Sequence, residues 1–202
     1  MLVQSPQNLT DISPARERVL DAAEQLFSQR GYASVTMRAI ATQLQMKVSS
    51  LYYHAPNGKE ELFVAVIMRN VQRHEQGLRE ALASAGSWQQ QLYSAAHWLL
   101  AQPSLDMGRF AMIDQHALNS EHAEQIITGM YTALFAPLEL VFAEAQARIG
   151  ATTPNPFVLA GAFVALVEGF RNAPPPPSSF PLNTTQALDS VLAVLIKGLE
   201  AG

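Results

Sequence analysis

Hydrophobic residues recur at intervals of three and four along residues 14–54, which is the period of helices with one buried face. The first block begins at Ser13 and Pro14, an N-cap followed by a proline at the first helical position, and Gly31 is its stop signal. Its buried stripe is predicted to comprise Val19, Leu20, Ala23, Leu26 and Phe27. The pattern therefore predicts a first amphipathic helix.

Two shorter helices are predicted after the first. Thr36 is a candidate N-cap for the second helix, which extends to Leu44 with the inward stripe Met37, Ile40, Ala41 and Leu44. The third helix opens at Lys47, with Val48, Leu51 and Tyr52 predicted to face inward and Lys47, Ser49, Ser50, Tyr53 and His54 able to face outward. Because Ala41 is small enough for two helices to cross closely over a short turn, we predict a helix-turn-helix.

The remainder of the chain is predicted to be helical as well, with no competing strand pattern. Gly, Pro and Asn signals separate helices at about 59–84, 88–101, 105–114, 121–149, 156–172 and 185–200. Pro137 should kink the 121–149 helix near Ala133 to Ala136. The run from Ala173 to Pro181 should be an extended connector, although a proline-rich recognition ligand is an alternative.

Charge is distributed unevenly along the 202 residues. Residues 25–59 contain no Asp or Glu but include Arg30, Arg38, Lys47 and Lys59, whereas the whole chain has 13 Lys+Arg against 17 Asp+Glu. A positive patch confined to one segment of an otherwise acidic protein indicates that only this segment contacts phosphates. We predict that this segment binds a nucleic-acid backbone and that the rest of the chain does not.

Composition narrows the class of protein further. With 49% hydrophobic residues the chain is expected to bury a sizeable core as one or two domains, and without cysteine it has neither disulfides nor thiolate metal ligands. A reducing cytoplasm is the expected location. The first 14 residues lack the pattern of a signal peptide, and no stretch is expected to span a bilayer, so no membrane association is predicted.

Between Arg16 and Ile67 the order of motifs is specific: RVLDAAEQLFSQRGY, then TMRAIA, then VSSLYYHAPNGKEEL. In these motifs the chain resembles the N-terminal domain of the TetR/AcrR family of bacterial transcriptional regulators. Gln45 stands where the family usually has a turn glycine, Ala55 where it usually has phenylalanine, and Gly58 looks like a one-residue insertion. A non-glycine residue in that turn implies strain or a shifted geometry.

The resemblance implies an all-α protein. Residues 1–57 would form an N-terminal arm and a three-helix DNA-binding domain, and residues 58–202 a larger helical ligand-binding and dimerisation domain. It also implies which residues contact double-stranded DNA. Phosphates would be held by Thr36, Tyr52, Tyr53, His54 and Lys59, base edges would lie near Lys47, Val48, Ser49 and Ser50, and Arg38 would flank them. Phosphate contacts position the protein, and base contacts specify the sequence.

The last two helices are apolar over most of their surface. They are either buried within their own domain or, as the resemblance implies, paired with those of a second subunit in a four-helix interface with two-fold symmetry. The candidate interface residues are Gly161, Ala165, Val191 and Leu195. A homodimer would require a palindromic DNA site.

A regulator of this kind is expected to bind a small apolar or amphipathic effector, with no cofactor. Aromatic and methionine side chains commonly line such pockets. The candidates are Trp98, Met107, Phe110, Met112, His116, Met130 and Phe135, although most residues of this kind are ordinary core. Neither the effector nor the operator sequence follows from the chain.

An enzyme is the weaker hypothesis. Asp114, His116, Glu121 and His122 lie close in sequence, but the two histidines are six positions apart, which places them on opposite sides of a continuous helix. No nucleophile elbow, phosphate loop or dinucleotide glycine pattern occurs, so we predict no catalytic or metal site. The favoured hypothesis is a ligand-released repressor. The alternative is a DNA-binding protein of the same fold that has no small ligand and is controlled by a protein partner or organises DNA.

Overall fold

The structure is a computed structural model that describes residues 13–103, 117–150, 154–174 and 181–201. Within these ranges the regular elements are helices and none is a strand. The helices are α1 (Pro14–Ser34), α2 (Met37–Gln43), α3 (Val48–His54), α4 (Lys59–Ala83), α5 (Trp88–Ala101), α6 (Ser120–Met130), α7 (Ala136–Ile149), α8 (Pro156–Asn172) and α9 (Thr184–Ala201). The predicted all-α class is confirmed.

Apart from the C-terminal end of α1, the sequence signals placed the ends of the described helices to within one or two residues. Ser13, Thr36 and Ser87 each accept a hydrogen bond from a backbone amide in the first turn of the helix that they cap. The helix expected at 105–114 and most of the proline-rich run lie outside the described residues.

Gly31 interrupts α1 rather than ending it cleanly. Its φ of 76° and ψ of 162° kink the chain, and a last short turn continues to Ser34. This turn places Tyr32 in the core, where its ring centroid lies 4.7 Å from that of Phe63 on α4. Phe27 meets Phe63 edge-on at 5.1 Å, so three aromatic rings hold α1 and α4 together.

The turn between α2 and α3 keeps a left-handed residue although no glycine is present. Gln45 has a φ of 54°. Its amide donates to the Thr42 carbonyl at 3.1 Å, and the Met46 amide donates to the Ala41 carbonyl at 3.0 Å, which together form a Schellman motif. The geometry of the turn is therefore retained, and Gln45 carries the strain.

We expect Gln45→Gly to stabilise the protein and Gln45→Val to destabilise it. Glycine removes the clash between Cβ and the backbone at positive φ, which costs on the order of 1 kcal/mol, whereas a β-branched side chain increases it. Glycine loses more backbone entropy on folding than glutamine does, so the net increase in the free energy of unfolding should be about 0.5 kcal/mol. Thermal denaturation of both variants measures the difference, and equal melting temperatures would show that Gln45 is unstrained.

The expected interruption before Pro137 takes the form of a π-helical turn. Residues Tyr131–Phe135 are π-helical and join α6 to α7. The proline lies at the start of α7, where its missing amide donor interrupts the ordinary hydrogen-bond ladder. The turn exposes Tyr131, whose hydroxyl donates to the Glu139 carboxylate at 2.8 Å.

The residues group into two compact units. The first contains residues 13–68 and 117–123 of the described chain, and the second contains residues 69–103 and 124–201 apart from the undescribed gaps. The domain boundary predicted between residues 57 and 58 stays a prediction. In the first unit α1, α2 and α3 pack around Leu20, Ile40 and Leu51, which are almost completely buried.

The second unit has its own core, to which α5, α7, α8 and α9 contribute. Its fully buried large side chains include Leu78, Leu92, Ile126, Leu138, Phe142, Phe163, Leu188 and Leu192. The residues Ser120–Ile149 together are long and apolar enough to cross a membrane by length and composition alone. Because Leu134, Leu138 and Phe142 from this stretch are buried in the core, this is weak evidence for a membrane span.

Candidate nucleic-acid interface

Helices α2 and α3 present a continuous set of exposed polar side chains, which we call the recognition surface. It comprises Thr36, Arg38, Lys47, Ser49, Ser50, Tyr52 and Tyr53. Tyr53 is the most exposed of them, with 84% of its surface accessible. Every member was predicted from sequence to contact DNA, and the fold brings all of them to the α2–α3 motif.

Tyr52 does not anchor α3 as its spacing suggested. It is 45% exposed, and Val48 is only half-buried. Leu51 and Ala55 are fully buried instead, because the chain turns inward directly after α3 and extends the buried stripe by one turn. The Tyr52 ring lies over Gly58, where an added Cβ would be 3.8 Å from Cε1. The phosphate contact of Tyr52 stays a prediction.

Thr36 can cap α2 and contact DNA at the same time. Its hydroxyl oxygen accepts the Ala39 amide at 3.1 Å. A hydroxyl has one proton to donate in addition to the lone pairs that accept. Because the side chain is exposed, that proton is available to a phosphate oxygen.

Lys59 is engaged within its own unit. Its ammonium donates to the Tyr32 carbonyl at 3.0 Å and lies 4.1 Å from the centroid of the Tyr32 ring. This cation–π contact fixes the first turn of α4 against the end of α1. Of the predicted phosphate-binding residues, Lys59 thus has a structural role that its sequence position did not reveal.

Glu60 ties the first turn of α4 to the start of α6. Its carboxylate accepts the Asn119 amide at 2.9 Å and lies 2.7 Å from Nδ1 of His122. These hydrogen bonds, the Asn119 amide first, lower the pKa of Glu60 below its ordinary value of 4.5. His122 therefore contacts Glu60 within the first unit, whereas Asp114 and His116, which were considered together with it, lie outside the described residues.

We expect Glu60→Gln to destabilise the protein by about 1–2 kcal/mol at neutral pH, because charge-assisted hydrogen bonds are lost. A lowered folded-state pKa means that this contribution is complete above the ordinary value of 4.5 and is lost as the pH falls through the folded value. The difference in melting temperature from wild type should therefore shrink below about pH 4.5. Glu121→Gln, at an exposed neighbouring position, is the matched control. A difference that persists at acid pH would contradict the assignment.

The candidate effector-binding residues fall into two groups. Met107, Phe110, Met112 and His116 lie outside the described residues. Met130 is buried core, and Phe135 stacks on Tyr131 with centroids 6.4 Å apart. Trp98 packs so closely over Gly77 that an added Cβ would lie 2.0 Å from its ring. Trp98 also contacts a buried polar side chain.

That polar side chain is His74, which the sequence analysis missed. Its ring is buried, lies 5.6 Å from Trp98 edge to face, and has Nδ1 2.9 Å from the Asn70 carbonyl. Burial lowers the pKa of His74 below its ordinary value, and the positive charges of Arg171 and Arg73 act in the same direction. The position of His74 between Val71 and Leu78 on the inward stripe of α4 was the available signal.

Helices α8 and α9 each have one buried and one exposed apolar face. On α8 the exposed face includes Val158, Ala162, Ala165 and Gly169, and on α9 it includes Val191, Val194 and Gly198. Of the predicted interface residues, Ala165 and Val191 are exposed and Leu195 is half-buried. Gly161 faces Phe135 of the same chain, which an added Cβ would meet at 3.9 Å. Val158 and Val194 are also exposed on these faces but were not among the predicted interface residues.

A family comparison identifies the segment that carries this surface. The profile described as bacterial regulatory proteins, tetR family, matches residues 19–66, which cover α1 to α3 and the first turns of α4. In this segment the chain is similar to the TetR family of bacterial regulatory proteins. The recognition surface lies entirely within the matched segment.

Among curated relatives, the HTH-type transcriptional regulator UidR of Escherichia coli K12 is 34% identical over 73 residues. The match spans 36% of this chain and only 37% of UidR. Salmonella enterica GusR is 25% identical with a TM-score of 0.68, over 96% of this chain and 99% of GusR. TetR-family resemblance at the level of sequence is therefore strongest in the N-terminal unit, whereas the fold is shared throughout.

A second solved structure is AibR in complex with isovaleryl coenzyme A and operator DNA. It has a TM-score of 0.70 and 20% identity, over 89% of this chain and 96% of AibR. At that identity the likeness concerns the fold.

Proposed function

We propose that this protein is a transcriptional regulator that binds double-stranded DNA through the recognition surface. The observation that carries the proposal is the exposure of polar and aromatic residues on α2 and α3 in a segment without acidic residues from 25 to 59. Lys47, Ser49 and Ser50 on the first turn of α3 would meet base edges in the major groove. Thr36, Tyr52, Tyr53 and His54 would hold phosphates, with Arg38 at the flank.

We further propose that the protein is a homodimer joined through the exposed faces of α8 and α9. Val158 and Val194 are 58% and 70% exposed, and small residues beside them allow helices to approach closely. Extended apolar faces on a soluble chain commonly mark an interface. Two-fold symmetry would place two α3 helices about 34–36 Å apart, or at that distance increased by a spacer, so the operator should be palindromic.

An effector would bind among the helices of the second unit, near Trp98 and His74. Support comes from the buried polar group beside an aromatic ring and from the fold shared with AibR, whose structure contains isovaleryl coenzyme A and operator DNA. We propose that the protein is a cytoplasmic repressor and that binding of the effector releases it from DNA. The effector must bind the released conformer more tightly than the DNA-bound one, and α4, which contributes to both units, would connect them.

The alternative function is that of a DNA-binding protein of the same fold that has no small ligand. We propose a catalytic role under neither function.

The deciding experiment is selection of duplexes from a random library by the purified protein. Enrichment of a palindrome with half-sites centred about one helical turn apart, or farther with a spacer, supports the proposal. Recovery of unenriched sequences at every round would overturn it.

A further inference from the structure

Helix α3 has few contacts that fix its orientation. It is seven residues long, and Leu51 is its only fully buried side chain. A helix this short is not stable through its own hydrogen bonds. At its start, the N-cap residue Lys47 makes no side-chain hydrogen bond to the first turn. The position of its C-terminal end therefore depends on contacts from other elements.

One such contact comes from Arg16 in the first turn of α1. Its guanidinium donates a hydrogen bond to the backbone carbonyl of His54, the last residue of α3. The final carbonyls of a helix have no hydrogen-bond partner within the helix. A positive charge near them also interacts favourably with the negative end of the helix dipole. Arg16 thus closes the end of α3 from a position 38 residues earlier in the chain.

Arg16 is itself held by the N-cap of its own helix and by one further element, α4. Its amide donates to the Ser13 hydroxyl at 3.3 Å, and its guanidinium lies 3.8 Å from the Glu61 carboxylate in the first turn of α4. The other Glu61 oxygen accepts the Asn57 amide at 2.9 Å, within the α3–α4 turn. One side chain therefore joins the start of α1, the end of α3 and the start of α4.

We propose that Arg16 is a positioning residue for sequence recognition, which sets the orientation of α3 through the His54 carbonyl without contacting bases. This inference rests on the proposed DNA-binding function. Loss of the contact would leave the exposed side chains of α3 in place but allow the helix to tilt. Contacts to base edges depend on that orientation more strongly than contacts to the flexible phosphate backbone.

The test compares the affinity for a duplex selected by the wild-type protein with the affinity for a scrambled duplex of equal length. Arg16→Met should lower the affinity for the selected duplex about tenfold and leave the affinity for the scrambled duplex nearly unchanged, because a lost base contact costs about that factor. Arg16→Lys retains the positive charge and hydrogen-bond donors, so it should recover part of the preference for the selected duplex over the scrambled one. Arg18→Met removes the same charge from an exposed site on the same helix and is the matched control.

A phosphate contact or a loss of folded protein would lower both affinities by the same factor, since neither depends on base sequence. An equal fall for both duplexes, or no change for either, would overturn the inference. Thermal denaturation of each variant separates instability from altered recognition. If the wild-type protein selects no duplex, the proposed function has failed instead, so the two failures are distinguishable.

Discussion

If the proposed homodimer forms through α8 and α9, Val194→Asp should convert it to a monomer while leaving the fold intact. Val194 is 70% exposed in the single chain, so the aspartate is solvated in a monomer and costs little there. In a two-fold interface both copies would bury a carboxylate against an apolar surface, which costs several kcal/mol in total. Affinity for a palindromic duplex should then fall by on the order of a hundredfold, because each subunit binds one half-site alone.

Sedimentation and circular dichroism measure the two parts of this expectation. Leu140→Asp is the matched control, since Leu140 is 71% exposed in the same unit but lies on α7. The control should remain dimeric. A Val194→Asp protein that sediments as a dimer would place the subunit interface elsewhere. Gly161→Leu is less informative, because Gly161 faces Phe135 of its own chain.

Lys47→Ala and Tyr53→Phe should affect DNA binding in different ways. Lys47 lies at the start of α3, whose side chains would enter the major groove in the proposed complex. Its loss should therefore cost about 1–3 kcal/mol at one base pair and change the preferred sequence. Tyr53 would donate its hydroxyl to a phosphate. Tyr53→Phe should therefore weaken binding to all sequences by a similar factor.

The affinity of each variant is measured for a library of operators that differ by single base pairs, which gives one binding profile for Lys47→Ala and one for Tyr53→Phe. Tyr53 is 84% exposed and Lys47 is exposed as well, so neither substitution should disturb folding. Matching profiles for the two variants would refute the assigned roles.

The helices were predictable because their signals are local. Ser13, Thr36 and Ser87 precede apolar periodicity and cap the helices that follow them. The motif order from Arg16 to Ile67 also predicted the match to the TetR-family profile. The residues that it placed against DNA on α3 include the exposed Ser49, Ser50 and Tyr53. In the turn after α2, the family's glycine position indicated the left-handed residue that Gln45 supplies.

The contacts that join distant segments were not predictable from periodicity. Arg16 and His54 are 38 positions apart, and Glu60 and His122 are 62 apart. Tyr52 was assigned to the core because its spacing fits one helical face, but α3 is too short for spacing to define that face, and Ala55 completes the buried stripe. The exposed sides of α8 and α9 could not be told from core by sequence, because their residues are apolar like those of the buried sides.

The dependence of duplex binding on salt tests the central claim most directly. Each dimer is expected to neutralise roughly eight phosphates, so the logarithm of the association constant should fall against the logarithm of salt concentration with a slope of about −7. Fluorescence anisotropy of a labelled duplex over a range of salt concentrations gives that slope. A steep negative slope is the result expected of a recognition surface that contacts the DNA backbone, whereas a flat dependence would contradict DNA binding by this protein.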